Sequence, residues 1–371
     1  MQKIYLDYNA STPLAPEVVA SMQPLLNDFY GNPSALHWAG KPVKELLHKA
    51  REQTAALIGC SPREIIFTSG GSEANNLALK GYFYKNRKKG NHIITSKVEH
   101  PAIINPCKFL EEAGARVTYV GVDRFGRVLL EEIEKAITKD TILISIMHSN
   151  NEVGTLQPIK EIGRMAERYG IAFHTDASQS VGKVPIDVNE LKVGMLTIAG
   201  HKLYAPKGIG VLYVKEGIEL EPLIHGAGHE FGLRAGTENT LLAVGLGKAC
   251  EIARNHVENS KIKELTDYFW GQLKEAFGDE IVLNGHPEER LPNTLNVCFV
   301  NKIGQSLLDR IPNLAASTGS ACHAGRIELS PVLKEMQVPE EVGMGAIRFS
   351  LGRFTTKAEI DQVIDSLIEI L

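Results

Sequence analysis

"TILISIMHSNNEVGTLQPIKEIGRMAERYGIAFHTDAS", residues 141–178, sets the architecture. An apolar, β-branched run opens it, a turn-rich segment comes next, and "IKEIGRMAERYG" continues as an amphipathic helical pattern. It closes on a second apolar run, "AFHTDAS". Strand, helix and strand in so short a span form the unit that builds a parallel sheet. Neither run alternates polar with apolar residues, as expected of strands covered by helices on both faces.

The same grammar repeats outward, from residue 60 to about 215. "EIIFTS", "HIITSKVEH" and "RVTYVGVD" precede this unit, and "MLTIAG" and "GIGVLYV" come after it. The expectation is an α/β fold with a mostly parallel seven-stranded sheet. Only "HKLYAPK" joins the last two strands, too short for a helical crossover, so one antiparallel neighbour is expected there. After Gly217 the pattern changes to a long helical region, about 238–277, interrupted near "NHVENSKIKEL". The strands "EIVLNG", "TLNVCFV" and "AIRFSLG" then mix with short helices and a final helix, "KAEIDQVIDSLIEIL". This reads as a smaller α+β domain. The expected division is a large domain at 16–250 and a small one made of 1–15 and 251–371.

Composition narrows the function. With 40 basic and 44 acidic residues, the net charge of −4 offers no field for nucleic acid. The basic cluster "YKNRKKGNH" (84–92) reads as the solvated end of a helix. No apolar run is long enough to span a bilayer, and "MQKIYLDYNAST" has neither a cationic region nor an apolar core, so a cytoplasmic, membrane-free protein is expected. The five cysteines are scattered without a CxxC, which argues against disulfides and zinc. His225 and His229 stand four apart, but Gly226 and Gly228 argue against a helix that would pair them, so no metal is expected. Cys60, Cys107, Cys250 and Cys298 sit among apolar residues. Cys322 instead lies in "AASTGSACHAGRIELSP" (315–331), a glycine-flanked loop.

Ligands of open α/β sheets bind beyond the carboxyl ends of the strands. "FTSGGSEAN" ends the first strand with Gly70 and Gly71, and Ser72 opens a helix whose N–H groups suit a phosphate, or a plain turn. "VEHPAI" places His100 before Pro101 at a helix start. "HSNNEVG" offers amides that also suit a turn. "HTDASQS" ends on Asp176, with Gln179 three residues on. "IAGHKLYAPKG" sets Lys202 among apolar neighbours, where a lysine reads as a desolvated amine ready to form a Schiff base. A phosphate cradle, a stacking ring, an amide, an acid and an amine together suit pyridoxal 5'-phosphate. GxGxxG, GxxxxGK[ST] and GxSxG are all absent.

These residues resemble the NifS/IscS-type cysteine desulfurases, of the fold-type I, class V aminotransferase group of pyridoxal-phosphate transferases. The matching motifs include "YLDYNASTP", "GNPSALH", "FTSGGSEANN", "VEHPAI", "HTDASQSVGK", "GHKLYAPKGIG", "GLRAGTENT", "TGSAC" and "IRFSLGRFTT", and they cover nearly the whole chain. The resemblance implies roles. Lys202 would capture the cofactor aldehyde, Asp176 would pair with the pyridine nitrogen and Gln179 would bond the phenolic oxygen. His100 would stack on the ring and move protons. Gly71, Ser72, Ala199 and His201 would hold the phosphate, with Thr237 reaching in from the neighbouring subunit of a homodimer. Asn151 and Arg353 would grip the substrate carboxylate. Cys322 would take sulfur from L-cysteine as a persulfide, leaving alanine, and deliver it to an acceptor such as an iron–sulfur cluster assembly scaffold. That task asks for a mobile loop. "ACH" with "SPVL" is also similar to the selenocysteine lyases, so that activity, and a class V aminotransferase without a catalytic thiol, remain alternatives.

Four departures stand out. Ala199 replaces the family's serine or threonine, and Phe231 in "GHEFG" replaces an arginine. His323 and Gly325 stand where relatives have Thr/Ser-rich continuations. The sequence closes on "DSLIEIL", where many members carry a longer tail for docking a scaffold.

Overall fold

A computed structural model describes residues 2–257, 261–318, 322–323 and 326–371, with the side chains of residues 322, 323, 326 and 327 outside the description. Seven strands form the main sheet. They are β1 (Ile65–Thr68), β2 (His92–Ser96), β3 (Arg116–Val120), β4 (Thr141–Ser145), β5 (Ala172–Asp176), β6 (Met195–Ala199) and β7 (Gly210–Val214). Their order is β1-β7-β6-β5-β4-β2-β3. Pairing is parallel from β6 through β3, while β7 runs antiparallel to both β6 and β1. The short link between β6 and β7 leaves no room for a crossover helix, so the chain turns straight back.

Every residue of β1, β2, β4, β6 and β7 is buried. Alternate side chains feed two cores: Phe67, Ile94 and Ile198 face one, and Ile66, Ile93 and Leu212 the other. The helix Ile159–Tyr169 covers the first face with Ile159, Ile162, Met165 and Ala166, a stripe at helical spacing. Gly170, at φ 66°, ends it in the left-handed conformation that a Cβ disfavours.

A second sheet of β8 (Ile281–Asn284), β9 (Thr294–Phe299) and β10 (Ala346–Ser350) is antiparallel, in the order β10-β9-β8. Its core joins Phe269, from helix Lys261–Phe277, to Phe349 at 5.1 Å between ring centroids, with Ile364 and Leu367 from helix Lys357–Ile370.

The N-terminal segment straddles the two sheets. Ile4–Tyr5 pairs in parallel with Leu314–Ala315, and the Tyr8 N–H donates to Ser350 O at 3.2 Å. A few residues on, the Thr12 and Ala15 N–H groups donate to His201 O (2.9 Å) and Tyr204 O (3.1 Å), beside β6. Residues 319–321 and 324–325 of the loop expected to be mobile lie outside the described residues. Cys322–His323 pairs antiparallel with Arg326–Ile327. Among the described residues, no helix is long and apolar enough to cross a membrane.

Phe349 is fully buried, so Phe349→Ala is expected to cost about 3–5 kcal/mol of stability. Chemical denaturation followed by circular dichroism measures it.

Candidate active site

The parallel strands end on one side, and the turns after β1, β2, β4, β5 and β6 close around a cavity of about 370 Å³. Gly71, Ser72, His100, Asn151, Asp176, Gln179, Ala199, His201 and Lys202 all line it. Nine residues singled out in the sequence thus meet in one place.

Lys202 ends the short 3-10 turn Gly200–Lys202 that comes after β6. Its Nζ donates to two backbone carbonyls, Asn9 O at 2.6 Å and Ala10 O at 2.7 Å. Burial, and next the positive charge of Arg348, push this amine down to about 8, against the pull of Asp7 and Asp176. Far more neutral amine is therefore present near pH 7 than on a solvated lysine.

Asp176 is the last residue of β5 and only 7% exposed. Its carboxylate accepts from Asn75 Nδ2 at 2.7 Å and from the Ser178 N–H at 3.0 Å. Asn75 also lines the cavity, and its Oδ1 is buried without a partner. His100 caps helix Pro101–Glu112, with Nδ1 accepting from the Ala102 N–H at 3.1 Å. That bond leaves the proton of a neutral imidazole on Nε2. Burial lowers the pKa of His100, opposed by Asp176 and reinforced by Lys202.

At the other end, β1 turns through Gly70 into a helix beginning at Gly71. A Cβ on Gly71 would lie 3.2 Å from both Ala199 Cβ and Ser178 Oγ, so only glycine fits without displacing a neighbour. The first-turn N–H groups of a helix have no intrahelical acceptor and suit an anion. His201 is pushed down to about 4, by burial first and then by Lys202, so it is neutral. Ala199 brings no hydroxyl, but the Ser178 hydroxyl stands next to it in the same wall.

Arg353, expected to grip a substrate carboxylate, is placed elsewhere. It lies in the turn after β10, pairs with Glu17 at 3.0 Å, and sits over Phe354. It lines a separate, more apolar cavity of about 230 Å³ with Leu203 and Tyr204. Arg348 takes the position facing the site. It sits on β10 two residues before Ser350, so both side chains leave the same face of the strand. Arg348 pairs with Asp7 at 2.7 Å and donates from Nη1 to Asn151 O at 2.9 Å. The sequence reading named Arg353 and passed over Arg348; strand alternation in "IRFSLGRFTT", which sets Arg348 on the face of Ser350, is the signal that bears on the choice.

One further expected residue, Thr237, stays apart from the cavity. Thr237 is exposed in the loop before helix Thr240–His256, and the Cys322 side chain lies outside the described atoms. Phe231, at φ 58°, sets its exposed ring 5.1 Å from the Arg51 guanidinium. Arg51 makes a buried two-pronged pair with Glu230, both bonds at 2.8 Å. The sequence reading also missed Asn9, which is 1% exposed and lines the cavity.

The family model for aminotransferase class-V matches residues 4–363. "Cysteine desulfurase IscS" of Dictyoglomus turgidum is 46% identical, over 100% of this chain and 95% of that protein. A solved "NifS-like protein" superposes with a TM-score of 0.93 at 35% identity, covering 100% of this chain and 99% of that one. "SspA in complex with cysteine" gives 0.82 at 38% identity, over 95% of this chain and 100% of that one. With the strand-end lysine and aspartate in one cavity, these likenesses set the chain's kinship: it belongs to the class V aminotransferases, among the IscS- and NifS-like cysteine desulfurases.

Proposed function

We propose that the chain is a cytoplasmic, homodimeric cysteine desulfurase that moves sulfur from L-cysteine onto Cys322. The observation that carries the reading is the convergence of a desolvated Lys202 amine and a buried Asp176 carboxylate on one cavity. Three features fit pyridoxal phosphate there. Gly71 forms a cradle that a Cβ would fill, Asn75 Oδ1 is an orphaned acceptor beside Asp176, and Lys202 is the amine an aldehyde needs. When bound, the cofactor supplies an aldehyde for an amine and a ring that withdraws electrons from the substrate Cα.

The protein's own groups do the rest. Asp176 offers a carboxylate for a protonated ring nitrogen, and Gln179 an amide for the phenolic oxygen. His100 presents its flat imidazole at the cavity wall with a proton on Nε2. Gly71, Ser72, His201 and Ser178, which line one cavity, would hold the cofactor's phosphate. Arg348 and Asn151 hold the substrate carboxylate, and Arg348 suits that task because its planar fork matches a carboxylate. The Lys202 amine, with its lowered proton affinity, would carry the Cα proton. The Cys322 thiolate attacks the substrate sulfur: an S–S bond forms, the Cβ–S bond breaks, and Cβ takes a proton to leave alanine. The persulfide then passes to an acceptor such as an iron–sulfur scaffold.

Exposure supports the dimer. Tyr30 (75%), Leu36 (81%) and Trp38 (77%) are apolar side chains in water, and Phe231 shares a surface concavity with Ser34. Thr237 lies outside its own chain's cavity, as a residue serving a second copy would. The division into 16–250 and the remainder is proposed to allow the small domain, with Cys322, to work as one body.

Incubation with L-cysteine is expected to yield alanine and a Cys322 peptide heavier by one sulfur, and Cys322→Ala to abolish turnover. Alanine at an undiminished rate from Cys322→Ala would sink the proposal, and faster alanine release from selenocysteine would redirect it. Arg348→Met should raise KM for cysteine about 10- to 100-fold, the loss of a charged hydrogen-bond pair, while Arg353→Met leaves it within about threefold. Borohydride trapping of pyridoxal phosphate on Lys202 should rise with pH through about 8 rather than above 10. Arg348 lowers that amine's pKa, so Arg348→Met should move the midpoint upward.

A further inference from the structure

Lys183 lies outside the candidate cavity and lines a neighbouring one. Its Nζ donates to two side-chain amide oxygens, Asn9 Oδ1 and Gln179 Oε1, each at 3.0 Å. Among the described residues, no carboxylate pairs with it. An ammonium carries three donors and no acceptor. Whatever amide faces it must therefore turn its oxygen inward.

We propose that Lys183 is a positioning residue that locks the Asn9 and Gln179 amides in one orientation, so that Gln179 meets the cavity as a hydrogen-bond donor. With its oxygen committed to Lys183, Gln179 donates from Nε2 to Asn9 O at 2.9 Å, the same carbonyl that accepts from Lys202. A flipped Gln179 would set its NH2 against the ammonium and its oxygen against that carbonyl. Asn9 is fixed in the same way. Its Oδ1 also accepts from Asn293 Nδ2 at 3.1 Å, and its Nδ2 donates to Thr294 Oγ1 at 2.8 Å and Asn151 O at 3.4 Å. One ammonium thus sets the polarity of two amides that border Lys202. Burial, then Lys202 and Arg348, push the Lys183 amine down to about 7. Its neutral form still carries two N–H groups, one for each oxygen.

The consequence rests on the reading of the cavity as a pyridoxal-phosphate site. A Gln179 held as a donor stabilises the anionic form of the phenolic oxygen, and a Gln179 free to flip does so only part of the time.

The test compares holoenzymes of wild type, Lys183→Met, Lys183→Arg, Gln179→Ala and the Lys183→Met/Gln179→Ala double variant. Pyridoxal-phosphate affinity, the pH midpoint of the bound cofactor's visible absorbance and thermal stability are read for each. Lys183→Met is expected to weaken cofactor binding about tenfold and raise the midpoint by about one pH unit. Lys183→Arg, which also carries only donors, should restore both. In the Gln179→Ala background the Lys183→Met change should disappear, because the lysine acts through that amide. An equal shift in that background would mean a bare charge effect and overturn the lock. Unchanged affinity and midpoint in Lys183→Met, beside a wild type that binds, would overturn it as well. A wild type that takes up no pyridoxal phosphate would overturn the reading of the cavity and this proposal with it. Should Lys183→Met fail to fold, Lys183→Gln, which can both donate and accept, takes its place with the same expected outcomes.

Discussion

The site depends on one carbonyl. Asn9 O accepts from Lys202 Nζ and from Gln179 Nε2, so the reactive amine and the nearby amide are held by the same backbone atom. Asn9 is itself anchored from the other side, its N–H donating to Ser350 Oγ at 2.9 Å and its Nδ2 to Thr294 Oγ1. The main sheet supplies the strand ends, and the small sheet holds the segment against which Lys202 is oriented. Neither alone sets the geometry. A buried polar network of this kind is stable only when every member is satisfied, which ties the placement of each residue to all the others.

Charge obeys the same logic. Lys202, Lys183 and Arg348 crowd positive charge at the back of the cavity, while Asp7 and Asp176 supply the negative. Arg348 pairs directly with Asp7, which keeps that guanidinium from standing uncompensated in a buried site. Among the described residues the lysines have no such ion-pair partner, and the cost of burying them appears as easier loss of a proton. The chemistry needs an amine without its proton, and the site obtains one by burying Lys202 and setting Arg348 near it, against the pull of Asp7 and Asp176.

Much of this was legible in the chain. The strand-helix-strand grammar implied the sheet, and the residues at the strand ends pointed to Gly71, His100, Asp176, Gln179 and Lys202, because strand ends converge whatever the loops do. The antiparallel β7 was implied by the length of a link alone. What escaped was set by tertiary geometry. Asn9 enters the cavity from a segment that belongs to neither helix nor sheet, and no local pattern marks it. Arg348 and Arg353 look alike five residues apart. Strand alternation separates them only once it is known that the Ser350 face meets the N-terminal segment that borders the cavity. Ser178 went unnoticed beside Ala199 because the wall they share is made by two different strands. The thiol's approach to the cavity lies with side-chain atoms outside the description.

The bond from Asn9 to Ser350 joins residues 341 positions apart. During synthesis Ser350, the anchor of Asn9, therefore emerges long after Asn9 itself. Until then the segment is held by its bonds to the large sheet, such as Thr12 N–H to His201 O, and Asn9 lacks the full set of bonds from the small sheet that fix its carbonyl under the Lys202 amine. The large sheet can therefore form before the site it carries is complete.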